Sequence, residues 1–218
     1  MVIFDCNGVL VDSEALVTQV LSDEFRRAGF ALTPEIIARF FTGRRLADVA
    51  QEVESAAGRP LPADFAARVG QAILDRLQTD LRPTPHVAQA LAWVRGRKCV
   101  ASSSSLDRIR ATLDATGLTK FFDPYLFSAS QVGHGKPAPD LFLHVAKRMS
   151  VVPRDCIVVE DSPVGVTAAV AAGMRAIGFV GGSHAGGSLG DRLRSLGASA
   201  VVGDMRALKS TIVDLRGW

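Results

Sequence analysis

Residues 2–14 read Val2-Ile3-Phe4-Asp5-Cys6-Asn7-Gly8-Val9-Leu10-Val11-Asp12-Ser13-Glu14, and the reading of this stretch decides the fold. A short β-favouring apolar run stops at an acid, a loop containing Gly8 follows to Asp12, and helical character begins near Ser13. From there to about Pro83 the pattern stays helical. Leu16, Val20, Leu21 and Phe25 recur at spacings of three and four until Gly29 stops the run. Thr33 stands as an N-cap before Pro34 at a first helical position. Leu46, Val49, Ala50 and Val53 mark a third helix, and Phe65, Val69, Ala72, Ile73 and Leu77 a fourth; Pro60 and Pro62 separate the two.

After Pro83 the period changes. A helix over about 84–96 leads into five short apolar strands at 99–101, 125–127, 156–159, 176–179 and 200–202. Helices are predicted over 106–116, closed by Gly117, after Pro137, and from Pro163 to Gly173. Buried strands alternating with helices imply a parallel sheet covered on both faces. The fold class is therefore α/β, with residues 1–12 and 84–218 forming one core and 13–83 an inserted all-helical unit. The glycine-rich segment 181–187 reads as a mobile loop, whose His184 either approaches the site or is exposed to solvent.

Composition narrows the function. The 218 residues carry 25 Lys plus Arg against 22 Asp plus Glu, a net charge of +3, and are 48% hydrophobic. That balance suits a folded globular chain and excludes a disordered one. No basic run exceeds two residues, so nucleic acid is not an expected partner. No uncharged apolar window is long enough to span a membrane, and no secretory signal pattern opens the chain. Cys6, Cys99 and Cys156 lie far apart in apolar strand-like surroundings and read as buried thiols of a reducing compartment, which places the protein in the cytoplasm. A monomer is the simple expectation.

In open parallel sheets, ligands bind beyond the carboxyl ends of the strands. Those ends carry Asp5, then Ser102 and Ser103, then Glu160 and Asp161, while Lys136 lies in a loop just ahead of a helix. Carboxylate oxygens in excess of bases suggest a hard cation, most plausibly Mg²⁺. A lysine and a serine beside it suit a phosphate, and Gly8 allows main-chain N–H groups to approach one.

With these motifs the chain resembles the haloacid dehalogenase superfamily, in the branch whose helical cap follows the first motif. Asp5-Cys6-Asn7-Gly8-Val9-Leu10-Val11-Asp12-Ser13-Glu14 is similar to the family's DxDGxxxDSE. Ser102 stands for the second motif, Lys136-Pro137-Ala138-Pro139-Asp140 for the third and Val158-Val159-Glu160-Asp161-Ser162 for the fourth. The resemblance implies a Rossmann-like core with a cap, similar to β-phosphoglucomutase, 6-phosphogluconate phosphatase and phosphoglycolate phosphatase relatives. It also implies hydrolysis of a small phosphorylated metabolite, a sugar or polyol phosphate in many members. Asp5 would attack phosphorus to give an aspartyl-phosphate. Mg²⁺ would be held by Asp5, the Asn7 main-chain carbonyl and Asp161, with Glu160 direct or through water. Ser102 and Lys136 would bind phosphoryl oxygens, and Asp12 would brace the motif loop.

One position departs from the pattern. Family members place an aspartate, the general acid and base, where this chain has Asn7. An amide cannot exchange a proton at neutral pH, so impaired turnover is expected. The residue is either an introduced substitution or a natural divergence toward slow turnover or another role. A phosphometabolite-binding or regulatory protein is the alternative. Residues 13–83 lack the lysine that a phosphonate-cleaving relative needs and the histidine that a β-phosphoglucomutase uses, which leaves a phosphotransferase as the weaker option. Specificity is expected at Thr42-Gly43-Arg44-Arg45. Arg44 or Arg45 either pairs with a substrate carboxylate or second phosphate, or is a solvated basic pair. Thr42 is either a helix N-cap or a sugar-hydroxyl contact.

Overall fold

The computed structural model describes residues 1–94 and 96–216. Arg95, which the sequence puts in the helix over 84–96, lies outside the described residues, as do Gly217 and Trp218 at the end of the 84–218 core.

Six parallel strands form one sheet in the order β3-β2-β1-β4-β5-β6. They are β1 (Val2–Phe4), β2 (Lys98–Ser102), β3 (Leu126–Ser128), β4 (Ile157–Glu160), β5 (Arg175–Phe179) and β6 (Ala200–Val202). Successive side chains of a strand leave by opposite faces. Val2 and Phe4 therefore join a cluster with Leu91, Ile109, Leu113, Leu208 and Ile212. Ile3 joins another with Leu141, Phe142, Val145, Val166 and Leu193. Both faces of β1 are sealed, and each large apolar side chain buried there contributes about 1.5–3 kcal/mol. Cys6, Cys99 and Cys156 are buried free thiols within these two layers.

The covering helices are α5 (Val87–Trp93), α6 (Leu106–Ala115), α7 (Asp140–Arg148), α8 (Pro163–Ala171), α9 (Leu189–Ser195) and α10 (Leu208–Arg216). The first of them begins at Val87 rather than 84, because His86 takes a left-handed conformation ahead of it. The third begins at Asp140, after Pro137 as expected, with the Ala138 N–H turning back to the Gly135 carbonyl ahead of it.

Between β1 and α5 stand α1 (Glu14–Arg27), α2 (Pro34–Phe40), α3 (Leu46–Ala57) and α4 (Phe65–Asp80). Their apolar stripes meet in a third cluster, including Val20, Phe25, Ile37, Val49, Val53, Phe65, Val69, Ile73 and Leu77. The outgoing and returning chains run side by side. Val11 bridges Pro83, and Asp12 N–H donates to the Arg82 carbonyl at 3.1 Å.

The segment 181–187, expected to be mobile, is tied to the motif loop. Ser183 donates to the Asp12 carboxylate from its N–H at 3.2 Å and from its hydroxyl at 2.8 Å. Among the described residues no helix is long and apolar enough to cross a membrane.

Candidate active site

Register sets the centre of the site. Phe4 pairs with Val100 on one side and Val159 on the other, so Asp5 leaves β1 between the ends of β2 and β4. Ser102 and Glu160 are the last residues of those neighbours. Lys136 arrives from the loop between β3 and α7. Its Nζ donates to Asp5 Oδ1 and Glu160 Oε1, both at 2.5 Å, and to the Ala101 carbonyl at 3.3 Å. Four sequence-distant segments thus share one ammonium group.

All members of this cluster are buried. Burial disfavours the Lys136 ammonium, but Asp5 and Glu160 outweigh it and the lysine is held charged well above its ordinary range. Burial pushes the Asp5 carboxyl upward against the pull of Lys136. At 2.5 Å from an Asp5 oxygen, the Lys136 ammonium holds the two as an ion pair.

Glu160 is fully engaged. Its Oε2 accepts from the Ser162 N–H and hydroxyl, both at 2.9 Å, while Ser162 Oγ caps α8 by accepting from Gly165 N–H at 3.1 Å. The sequence offered Glu160 as a cation ligand, direct or through water. In this arrangement Glu160 sits behind Lys136 and positions its ammonium.

Asp161 and Asn7 are different. Asp161 Oδ2 and Asn7 Oδ1 are buried without hydrogen-bond partners. Asn7 Nδ2 donates to Ser104 Oγ at 3.1 Å. Gly8, at φ +75°, sits so close that an added Cβ would lie 2.0 Å from Asp161 Oδ2. The orphaned Asp161 oxygen fits a hard cation held by Asp5, Asp161 and the Asn7 main-chain carbonyl. Among the described residues no three His, Cys, Asp or Glu side chains gather to hold an ion, so such a site would lean on that main-chain carbonyl.

A cavity of about 270 Å³ opens from Asp5 toward α1–α4. Asn7, Glu14, Thr18, Thr42, Gly43, Arg44, Ser102, Ser103, Arg108 and Asp161 all line it, with apolar walls from Leu21, Ile37, Phe41, Val69 and Ile73. Gly43, at φ +80°, lies over the fourth motif, where an added Cβ would meet Ser162 Oγ at 2.5 Å. Ser103 spends its hydroxyl on this closure, donating to the Gly43 carbonyl at 2.7 Å. Thr42 is not the expected N-cap, a place Arg45 takes for α3; its Oγ1 instead donates back to the Ala38 carbonyl at 2.9 Å, at the C-terminal end of α2.

The arginine pair separates. Arg44 reaches the cavity but is held by Glu52 at 2.6 Å. Arg45 does not line it. Its Nε and Nη2 bond both Asp48 oxygens, at 2.8 and 2.7 Å, and its Nη1 reaches the carbonyls of Ala129 and Gly133. It is neither a solvated charge nor a cavity residue, but a strut from α3 to the sheet's far loop.

Three neighbours of the site went unassigned in the sequence. Ser104 receives the Asn7 amide and is buried behind it. Of the two readings of His184 the site approach holds and the solvent exposure does not: it is mostly covered, and its Nε2 stands 2.8 Å from Asp161 Oδ2 without hydrogen-bond geometry. Glu14 opens α1 inside the cavity. Burial, and then the nearby Asp161, raise its carboxyl from 4.5 to about 7. An acid raised in the folded state loses stability as pH climbs from about 4.5 to 7. Glu14→Gln keeps the shape without the charge. In metal-free buffer it is expected to melt like the parent near pH 4.5 and to be more stable at pH 8, by as much as about 3 kcal/mol. Equal melting curves at pH 8 would contradict this.

A parallel sheet with a helical insertion after β1 and these residues at its strand ends mark a class of hydrolase. The chain belongs to the haloacid dehalogenase-like hydrolase family, whose model matches residues 1–173. It is 30% identical over 184 residues to 6-phosphogluconate phosphatase of Escherichia coli K12, covering 84% of this chain and 83% of that one. It is 31% identical over 177 residues to fructose-1-phosphate phosphatase YqaB of the same organism, covering 80% and 93%. The haloacid dehalogenase-like protein of unknown function ATU0790 from Agrobacterium tumefaciens C58 superposes with a TM-score of 0.82 at 38% identity, over 99% and 98% of the two chains.

Proposed function

We propose that this protein is a Mg²⁺-dependent phosphatase of a small phosphorylated sugar or polyol, working through an aspartyl-phosphate on Asp5 and slowed by Asn7. The observation that carries the reading is Asp5, which lines the cavity between sheet and helices and is bonded from behind by Lys136, itself bonded to Glu160. The relatives named for 6-phosphogluconate and fructose-1-phosphate support the substrate class.

An Asp5 carboxylate oxygen attacks phosphorus, a new O–P bond forms, and the ester P–O bond breaks with its electron pair on the leaving oxygen, which takes its proton from water. Lys136 holds Asp5 ionised and in place and offsets phosphoryl charge, while Ser102, buried at the end of β2, donates its hydroxyl to a phosphoryl oxygen. Ser104 N–H donates to Ser102 Oγ at 3.2 Å, which leaves the Ser102 proton free for that contact. When bound, Mg²⁺ neutralises charge between nucleophile and phosphate. Water then cleaves the acyl-phosphate, returning free Asp5 and inorganic phosphate. Asn7 can orient the leaving oxygen or the water but cannot pass a proton to either. Residues 13–83 act as the cap that excludes bulk water and reads the rest of the substrate.

The test is phosphate release with Mg²⁺ across sugar, polyol and carboxylated phosphates, with Asp5→Asn as the control. Slow, Mg²⁺-dependent release that vanishes in Asp5→Asn is expected. Asn7 itself favours a second reading, a protein that binds a phosphometabolite without turnover. Tight binding with no release, even after Asn7→Asp, would establish that reading instead.

A further inference from the structure

The mechanism above leaves one buried cation of the cavity unused. Arg108 stands in the first turn of α6, three residues past its N-cap Ser105, where α6 packs against α4. Its Nε and Nη2 are both shut off from solvent, and neither has a hydrogen-bond partner. The other cations around the site are engaged: Lys136 by Asp5 and Glu160, Arg44 by Glu52, Arg45 by Asp48. Arg68 also has an unpartnered Nε and Nη2, but it faces Glu24 at 3.4 Å and lies outside the cavity.

The pair of orphaned donors has a meaning. Nε and Nη2 form one edge of the guanidinium fork, spaced to meet two oxygens of a single carboxylate or phosphate. Arg45 uses the same edge on Asp48 in this chain. A buried guanidinium edge left unbonded is costly, and an anionic ligand is what restores it. Burial lowers the Arg108 pKa, and Glu14 is the first of the nearby groups that oppose this, so the cavity wall supports the charge.

Resting on the phosphatase reading, we propose that Arg108 binds a second anionic group of the substrate, a carboxylate, and that the preferred substrates are phosphorylated sugar acids rather than neutral polyol phosphates. The phosphoryl group occupies the Asp5–Lys136 end. A planar carboxylate matches the free edge and adds less bulk than a second phosphate in a cavity of about 270 Å³. The residue is a specificity determinant on α6, outside the helical insertion where substrate reading was expected.

The test is calorimetric binding with Mg²⁺, using the chain as it stands, a phosphorylated aldonic acid and the alditol phosphate of equal carbon number. The acid is expected to bind about 10–100-fold tighter, the worth of a charge-assisted pair. Arg108→Met is expected to remove that preference and leave the alditol phosphate within about threefold. Arg108→Lys, which keeps the charge but not the fork, is expected to fall between, and it decides the matter if the methionine variant does not fold. Equal weakening of both ligands would assign Arg108 to the transferred phosphoryl group and overturn the proposal, as would parent protein without preference for the acid. Binding and hydrolysis of the alditol phosphate without such preference would remove this inference alone. Failure of both esters to bind would remove the phosphatase reading with it.

Discussion

Asn7→Asp is expected to raise steady-state phosphate release by about 10²–10⁴-fold, the usual worth of a positioned general acid and base. The side chain lines the cavity with Asp5, and its Nδ2 is held by Ser104 Oγ at 3.1 Å. An aspartate of the same shape would keep that contact with the hydroxyl now donating. Its second oxygen would replace Asn7 Oδ1, which is buried and unpartnered, and would offer a proton to the leaving alcohol before taking one from water. Rapid mixing separates the steps. The parent chain is expected to release the alcohol in a burst of at most one equivalent and then stall as the aspartyl-phosphate, whereas the aspartate variant turns over without a burst. The change adds a carboxylate beside Asp5 and Asp161, so the variant is expected to melt lower without Mg²⁺ and to recover with it. An unchanged rate on every ester would remove Asn7 as the limiting group.

The parts of this site that were legible in the sequence are those placed by strand ends. Asp5, Ser102, Glu160 and Asp161 each follow an apolar run whose length fixes where the side chain emerges, and parallel pairing then brings the ends together. Lys136 was legible through the motif around it. Its bond to Glu160 depends on a loop path that no periodicity encodes. Arg44 and Arg45 looked equivalent because adjacent residues at a helix start diverge only once α3 is docked: Asp48, one turn on, captures the second, and Glu52 holds the first at the cavity wall. Arg108 was silent for a similar reason. One turn into α6 an arginine is ordinarily a surface residue, and its burial here comes from tertiary packing, which includes α4 against α6. His184 depends on the Ser183–Asp12 bond, which joins positions 171 residues apart.

Lys136→Met is expected to abolish phosphate release and to destabilise the fold by about 3–5 kcal/mol at pH 8, the cost of breaking a buried ion pair from one side. The methionine fills the space beside Phe142, so lost packing is a small part of the cost. What remains is two carboxylates, Asp5 and Glu160, at 6% and 0% exposure, with no ammonium between them. The sign with pH follows. Burial already raises Asp5, and without Lys136 it rises further, so the folded variant binds more protons than the unfolded chain through the acid-to-neutral range. Stability then falls as pH rises. The loss relative to the parent is expected to be small near pH 5 and largest near pH 8, as read from denaturant unfolding at both. A loss of equal size at the two pH values would point to packing and contradict the electrostatic account. Adding Asp5→Asn to Lys136→Met removes one stranded charge, and the double variant is expected to regain part of its stability at pH 8 while staying inactive. That combination separates the two duties of the cluster, since the fold needs its charges balanced, whereas the reaction needs the Asp5 oxygen itself.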